Sequence, residues 1–217
     1  MKSDLLGIVT EVAKGVPTTV GYTCVAWFFG LWLAAFFVWI RLKKLPGCMV
    51  VDLLISVLRG TPMLVQVLFL FYCLPVLGVY LPGPFAAAMA FVLNSAAYTS
   101  EILRGGIASI SEGQYQACQS LGIPSWLMWK DIVGPQLLRV CLPGLVSEFT
   151  TLVKDTSILS FIGEGDVMKR ANDLGAATYS YLGPLMVAGC YYYVMCNVVM
   201  LLSRHLEARM NYHVKSS

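Results

Sequence analysis

The chain has 217 residues, of which 58 % are hydrophobic and only 12 % charged, with a formal net charge of +3 and a mean hydropathy of +0.71. A soluble domain holds about 45–50 % apolar and about 25 % charged residues, so an ordinary soluble globule is excluded because its interior could not hide the apolar excess. A disordered chain is excluded by the same numbers, and so small a net charge points away from nucleic acid.

At about 20 apolar residues per transmembrane helix, this composition supplies roughly five or six spans. Residues 1–15 place Leu5, Ile8, Val9 and Val12 on one face, with Asp4, Glu11 and Lys14 away from it. That pattern reads as a helix lying in the membrane interface or as a frayed tail. The same charges interrupt the segment before any apolar h-region, so no cleavable signal is expected. The first span runs over 19–40, is rich in Trp, Phe and Leu, and is stopped by Arg41, Lys43 and Lys44. The second is expected at 62–80, a tight Leu-Pro-Gly-Pro turn follows at 81–84, and the third covers 84–103. The fifth is expected at 181–203.

The fourth span, 137–158, is long enough to cross but carries Arg139, Glu148, Lys154 and Asp155. Its polar and small residues are ordered: Gly144, Ser147, Glu148, Thr151 and Asp155 recur three and four apart. Leu145, Val146, Phe149, Leu152 and Val153 take the other side. Among membrane spans this reads as a helix with one face on a polar cavity.

The loop 104–136 has its own structure. Ser111 and Gln114 fit a capping box, the helix they start runs through Leu121, and Gly122 suits a left-handed stop. Ser125 is expected to cap a second short helix carrying Trp126, Leu127, Trp129, Ile132 and Val133, ended by Gly134-Pro135. The resulting knob shows Tyr115, Leu121, Trp126 and Trp129. Such apolar surface marks either a docking site or aromatics laid against the membrane.

Arg41, Lys43, Lys44, Arg59, Arg104, Lys130, Arg139, Arg204, Arg209 and Lys215 fall on one side of these spans; Lys2, Lys14, Lys169 and Arg170 fall on the other. The positive-inside rule then puts the N-terminus outside and the C-terminus in the cytoplasm. The seven cysteines include no C-x-x-C pair and read as small apolar packers rather than a disulfide or zinc framework. Neither His205 nor His213 belongs to an H-E-x-x-H motif, so no metal site is expected.

Several blocks resemble the permease subunit of ATP-binding-cassette importers for polar amino acids. That family's loop signature, E-A-A, three residues, G, nine residues, I, one residue, L-P, aligns with Gln116-Ala117-Cys118, Gly122, Ile132 and Gly134-Pro135 at matching spacing. The departures are Gln116 for Glu, Cys118 for Ala and Gly134 for Leu. Arg59-Gly60-Thr61-Pro62-Met63-Leu64-Val65-Gln66 resembles the family's R-G-T-P-x-L-V-Q. Residues 97–107 resemble A-Y-x-x-E-I-x-R-G-G-I, Pro135-Gln136 and Arg139 resemble P-Q-x-x-R, and residues 152–157 resemble L-x-K-D-T-S. A weaker match, Gly15-Val16-Pro17-Thr18-Thr19, resembles the family's start.

The resemblance implies an all-α integral membrane protein of the type I importer fold, forming one permease domain of about five spans over 1–217. It implies a coupling helix at the knob, with Gln116, Ala117, Cys118, Leu121, Gly122, Trp126, Ile132 and Pro135 facing a cytoplasmic ATPase. Gln116 lacks the family Glu's charge, so a hydrogen bond would replace any salt bridge there. Expected partners are a second permease subunit, identical or a sister, two ATPases, an extracytoplasmic solute-binding protein and the bilayer of the inner membrane, with no nucleic acid. The chain has no G-x-x-x-x-G-K-[ST] run, so it binds no cofactor itself; ATP and Mg belong to the ATPase, and no catalytic residue is expected.

Glu148, with Ser147 and Thr151, is the candidate for the solute path, where a carboxylate would accept an ammonium. The alternatives are a structural pair across a subunit interface or a protonated Glu bonded to a hydroxyl. Asn94 is a second candidate, although Ala86, Ala90 and Ala97 on its helix suit close packing. Lys154 and Asp155 lie toward the outer rim as gate or interface residues. Competing functions are an ATP-independent transporter or channel, which would need repeats or several intramembrane charges, and a membrane-embedded enzyme, for which a metal-ligand cluster is missing.

Overall fold

A computed structural model describes residues 5–212; Lys2, Asp4, His213, Lys215 and the Arg209 side chain lie outside what it describes. The described residues are mostly helical, with no strand among them. The elements are α1 (Leu5–Ala13), α2 (Val16–Leu42), α3 (Cys48–Gly60), α4 (Met63–Val76), α5 (Gly83–Ser109), α6 (Glu112–Ser120), α7 (Ser125–Leu127), α8 (Gly134–Asp155), α9 (Val167–Thr178) and α10 (Leu182–Tyr212). By length and apolarity alone, the run Leu5–Leu42 and the segment Leu182–His205 qualify to cross a membrane, and α3 with α4 qualifies as a bent pair. Helices α5 and α8 fall short on this measure because polar and charged residues are spread along them.

The centre is the crossing of α2 and α5. Ala26, Gly30 and Ala34 repeat every fourth residue on α2 and are all buried. Along the crossing, Ala26 packs in one cluster with Ala87 and Ala90 of α5, and Gly30 lies against Ser95 and Ala96. A Cβ placed on Gly30 would lie 2.8 Å from Ser95 Oγ, so the backbones touch as small-residue crossings in membranes do. Phe91, Val67, Leu152 and Leu159 close the core beside them. The opposite face of α2 exposes Phe28, Phe29, Trp32, Phe36 and Trp39.

Helix α1 packs against the rest of the chain. It is one 38-residue run with α2, without a sharp bend, and buries Ile8 and Val12 against Val167, Ala171 and Ala188. Protein contact takes the apolar stripe, which leaves Leu5 and Leu6 exposed. Gly15 makes this junction possible, since a Cβ there would sit 2.4 Å from the backbone of Asp166 and Val167. Asp166 is fully buried and caps α9, accepting from the backbone N–H of Met168 (3.1 Å) and Lys169 (2.9 Å) and from the Tyr192 hydroxyl (2.8 Å). Burial pushes its carboxyl above the usual aspartate value, against the pull of those donors. The segment 159–180 is therefore a folded cap.

Further elements differ from the sequence expectation. Residues 48–60 form α3, buried through Val51, Ile55 and Leu58, where only a charged connection was expected. A bend of 112° separates it from α4. In the segment after α6, the second knob helix does not stop at Gly134-Pro135. It passes through a π turn, Met128–Val133, straight into α8. A matching π turn, Phe69–Cys73, interrupts α4. Both end two residues before a proline, Pro75 and Pro135, with Leu74 N–H donating to Phe69 O and Gly134 N–H donating to Trp129 O. Proline cannot supply the next bond and its ring crowds the preceding turn; one wider turn absorbs both problems. At Gly134 no side chain fits, because a Cβ would lie 2.3 Å from Trp129 O. The α-helical part of α8 ends at Asp155, short of the expected 158, and a tighter 3-10 segment, Thr156–Ile162, follows.

Candidate functional site

The polar stripe of α8 lies on a cavity. Gly144, Ser147, Glu148, Thr151 and Asp155 all line one space of about 560 Å³, the size of a small-molecule site. The facing wall is the α3–α4 elbow, Thr61, Pro62 and Met63, together with Asn94, Tyr98 and Ile102 of α5. Helical spacing alone puts the five α8 positions on one face. Leu145, Leu152 and Val153 are buried on the other. Gly144 lets α8 approach α5, since a Cβ there would meet Ile102 at 3.0 Å.

Glu148 is 8 % exposed and forms none of the ion pairs found among the described residues. Thr151 Oγ1 donates to Ser147 O at 3.0 Å. Asn94 is held from behind, donating to Gln66 Oε1 (3.1 Å) and to Leu58 O (3.5 Å). Lys154 is exposed and does not line the cavity, so the two expected rim residues part: Asp155 faces the space and Lys154 turns away. The wall is rich in acceptors, and among the described residues no His, Cys, Asp and Glu group could hold a metal ion.

Sequence reasoning did not find the charge hub beneath the cavity. Glu101 of α5 takes Arg41 at 2.5 Å, Arg104 at 2.7 Å and Arg59 at 3.6 Å, and Arg41 also reaches Asp52 of α3 at 2.7 Å. Glu101 and Arg104, three apart on a helix, were legible as a local pair. Arg41, sixty positions away, was not. The hub meets the cavity at Tyr98, whose ring lies 5.4 Å from the Arg59 guanidinium.

The knob places its expected residues unevenly. Gln116, Ala117, Leu121, Gly122, Trp126 and Pro135 are exposed or half-buried, Ile132 is half-buried and Cys118 is buried. Cys118 packs inward and offers no docking surface. Gly122 is left-handed, φ +67, and the paired bonds Gly122 N–H to Gln119 O and Ile123 N–H to Cys118 O form the Schellman stop its position suggested. The capping box is only half made. Ser111 Oγ accepts from Gly113 N–H at 3.3 Å, while Gln114 turns away and accepts from Gln136 Nε2 at 2.9 Å. That bond ties the knob to α8. Pro124, not Ser125, is the cap position of α7, and its carbonyl accepts from Leu127 and Met128. Tyr115 packs edge-on to Trp129, and burial raises its hydroxyl pKa.

Residues 26–212 match the family described as "Binding-protein-dependent transport system inner membrane component". The chain is 38 % identical over 201 residues to the arginine transport system permease protein ArtQ of Bacillus subtilis, covering 92 % of each. It is 34 % identical over 201 residues to a putative glutamine transport system permease protein GlnP of Rickettsia bellii, again covering 92 % of each. A crystal structure of an amino acid ABC transporter with histidines superposes with a TM-score of 0.87 at 31 % identity, over 96 % of this chain and 100 % of that one.

Proposed function

The chain belongs to the family of binding-protein-dependent transport system inner membrane components, and from that premise we propose that it is the membrane-spanning subunit of an ATP-driven importer of polar amino acids. ATP hydrolysis belongs to a separate subunit, which binds the ATP and Mg, and a binding protein delivers the solute. Helices α2, α4, α5, α8 and α10 cross the inner membrane, with the N-terminus outside and the C-terminus in the cytoplasm; the cluster of Lys and Arg on one side supports this orientation. Two permease subunits, identical or sisters, face each other over two ATPases.

The observation that carries this reading is the continuity of Ser125 through Asp155. Knob and cavity wall form one rod of about 45 Å at 1.5 Å per residue. Leu121 and Trp126 are 76 % and 65 % exposed at its knob end. Burying either in a groove on the ATPase gains about 1.5–3 kcal/mol, enough to hold the rod to its motor. A stroke of the ATPase then tilts the rod as a rigid body and moves Ser147, Glu148 and Thr151 relative to α5. Alternating access follows from that tilt. Glu148 accepts the solute ammonium, Asn94, Ser147 and Thr151 complete the path, and Asp155 forms its outer rim, with Lys154 turned away toward a subunit interface. Gln116 contributes a neutral hydrogen bond to the ATPase.

Purification in mild detergent from native membranes tests this directly. An ATPase is expected to travel with the chain, and uptake by the reconstituted assembly is expected to require ATP. Solute uptake by the chain alone in liposomes would instead establish an ATP-independent transporter.

A further inference from the structure

Gln66 lies outside the cavity lining, in the first turn of α4, yet its amide touches three elements at once. Nε2 donates to Leu58 O of α3 at 2.7 Å, and to Thr61 O at 3.1 Å and Thr61 Oγ1 at 3.0 Å in the elbow. Oε1 accepts from Asn94 of α5 at 3.1 Å. The polarity of this chain of bonds is fixed by the backbone. Leu58 O and Thr61 O can only accept, so Nε2 must face them and Oε1 must face Asn94. Asn94 must in turn present Nδ2, which also donates to Leu58 O at 3.5 Å. Its carbonyl oxygen receives no hydrogen bond from the described residues, is not among the buried unpartnered atoms, and belongs to a residue of the cavity wall.

We propose that Gln66 is a positioning residue for the solute cavity. It fixes the Asn94 amide so that its oxygen, not its nitrogen, faces the space opposite Glu148. Without Gln66, Asn94 is free to turn its amide over, and the cavity offers a donor where a solute donor needs an acceptor. The inference rests on the cavity being the solute path. It differs from the path assignment itself because Gln66 acts only through Asn94.

The test is solute binding to the purified permease–ATPase assembly, by titration calorimetry, with L-arginine, L-glutamine and L-histidine as probes. For the probe that binds wild type, Asn94→Ala and Gln66→Ala are each expected to weaken binding about tenfold, and the double variant is expected to match Asn94→Ala, because one acts through the other. Gln66→Met, of similar length but without the amide, serves if Gln66→Ala does not assemble. It is expected to weaken binding when Asn94 is intact, and to add nothing when combined with Asn94→Ala. Two additive tenfold losses, or wild-type affinity in the Gln66 variants, would overturn the inference while leaving the cavity reading intact. Failure of all three probes to bind wild type, with Glu148→Gln unchanged in uptake, would overturn the cavity reading and this inference together.

Discussion

Two acidic side chains on neighbouring helices have opposite surroundings. Glu101 is met by three arginines from α2, α3 and α5, while Glu148 has no cation within reach among the described residues and opens onto a cavity. A carboxylate in a membrane protein is costly unless it is compensated. At Glu101 the protein supplies the compensation itself, and the result is a clasp that closes α2, α3 and α5 at one end. At Glu148 it does not, and the carboxylate is left facing the cavity. Residue type alone says nothing about this division; the neighbours decide it.

The comparison breaks most sharply in stability. Glu101→Ala leaves Arg41, whose side chain is 22 % exposed, without its main counter-charge. The expected loss is about 3 kcal/mol, read as a fall in the melting temperature of the detergent-solubilised assembly. Glu148→Gln removes an uncompensated charge, so stability is expected to hold or rise. Its cost falls on the solute, where losing a hydrogen bond to a charged group is worth about 1.5–3 kcal/mol, or about ten- to a hundredfold in affinity. A Glu148→Gln assembly that unfolds like Glu101→Ala would erase the distinction.

Within the clasp the arginines are unequal. Arg41 bridges Glu101 and Asp52, whereas the Arg104 side chain is 50 % exposed. Arg41→Ala is expected to cost about 2 kcal/mol and Arg104→Ala less than about 1 kcal/mol, compared by thermal unfolding. The smallest effect concerns Asp166, a fully buried carboxyl partnered by neutral donors. Its pKa is raised by burial, so its contribution is full below the unfolded aspartate value and is lost as pH rises through its folded value. Stability is expected to decline modestly over that window, and Asp166→Asn to flatten the decline.

Much of this was legible in the chain itself. The α8 stripe could be read because a helix maps spacing onto faces, and all five of its positions reached one cavity. The left-handed Gly122 was equally plain, since only local backbone geometry is involved. What stayed hidden depends on contacts distant in sequence. Arg41 and Glu101 are linked only by the crossing of α2 and α5, and Gln66 faces Asn94 only because the elbow bends. Helix α3 was obscured by Asp52 and Arg59, although Val51, Ile55 and Leu58 already had the right spacing. Gly134-Pro135 looked like a stop because proline usually ends a helix; a π turn let it continue, and the continuity joins knob to cavity.

That continuity makes uptake the decisive measurement. Proteoliposomes holding the full assembly, loaded with ATP and supplied with the binding protein, should accumulate one of the candidate amino acids. They should lose that uptake in the Glu148→Gln variant while the melting temperature holds. Full uptake of every amino acid tried by Glu148→Gln, or uptake that proceeds without ATP, would contradict the account.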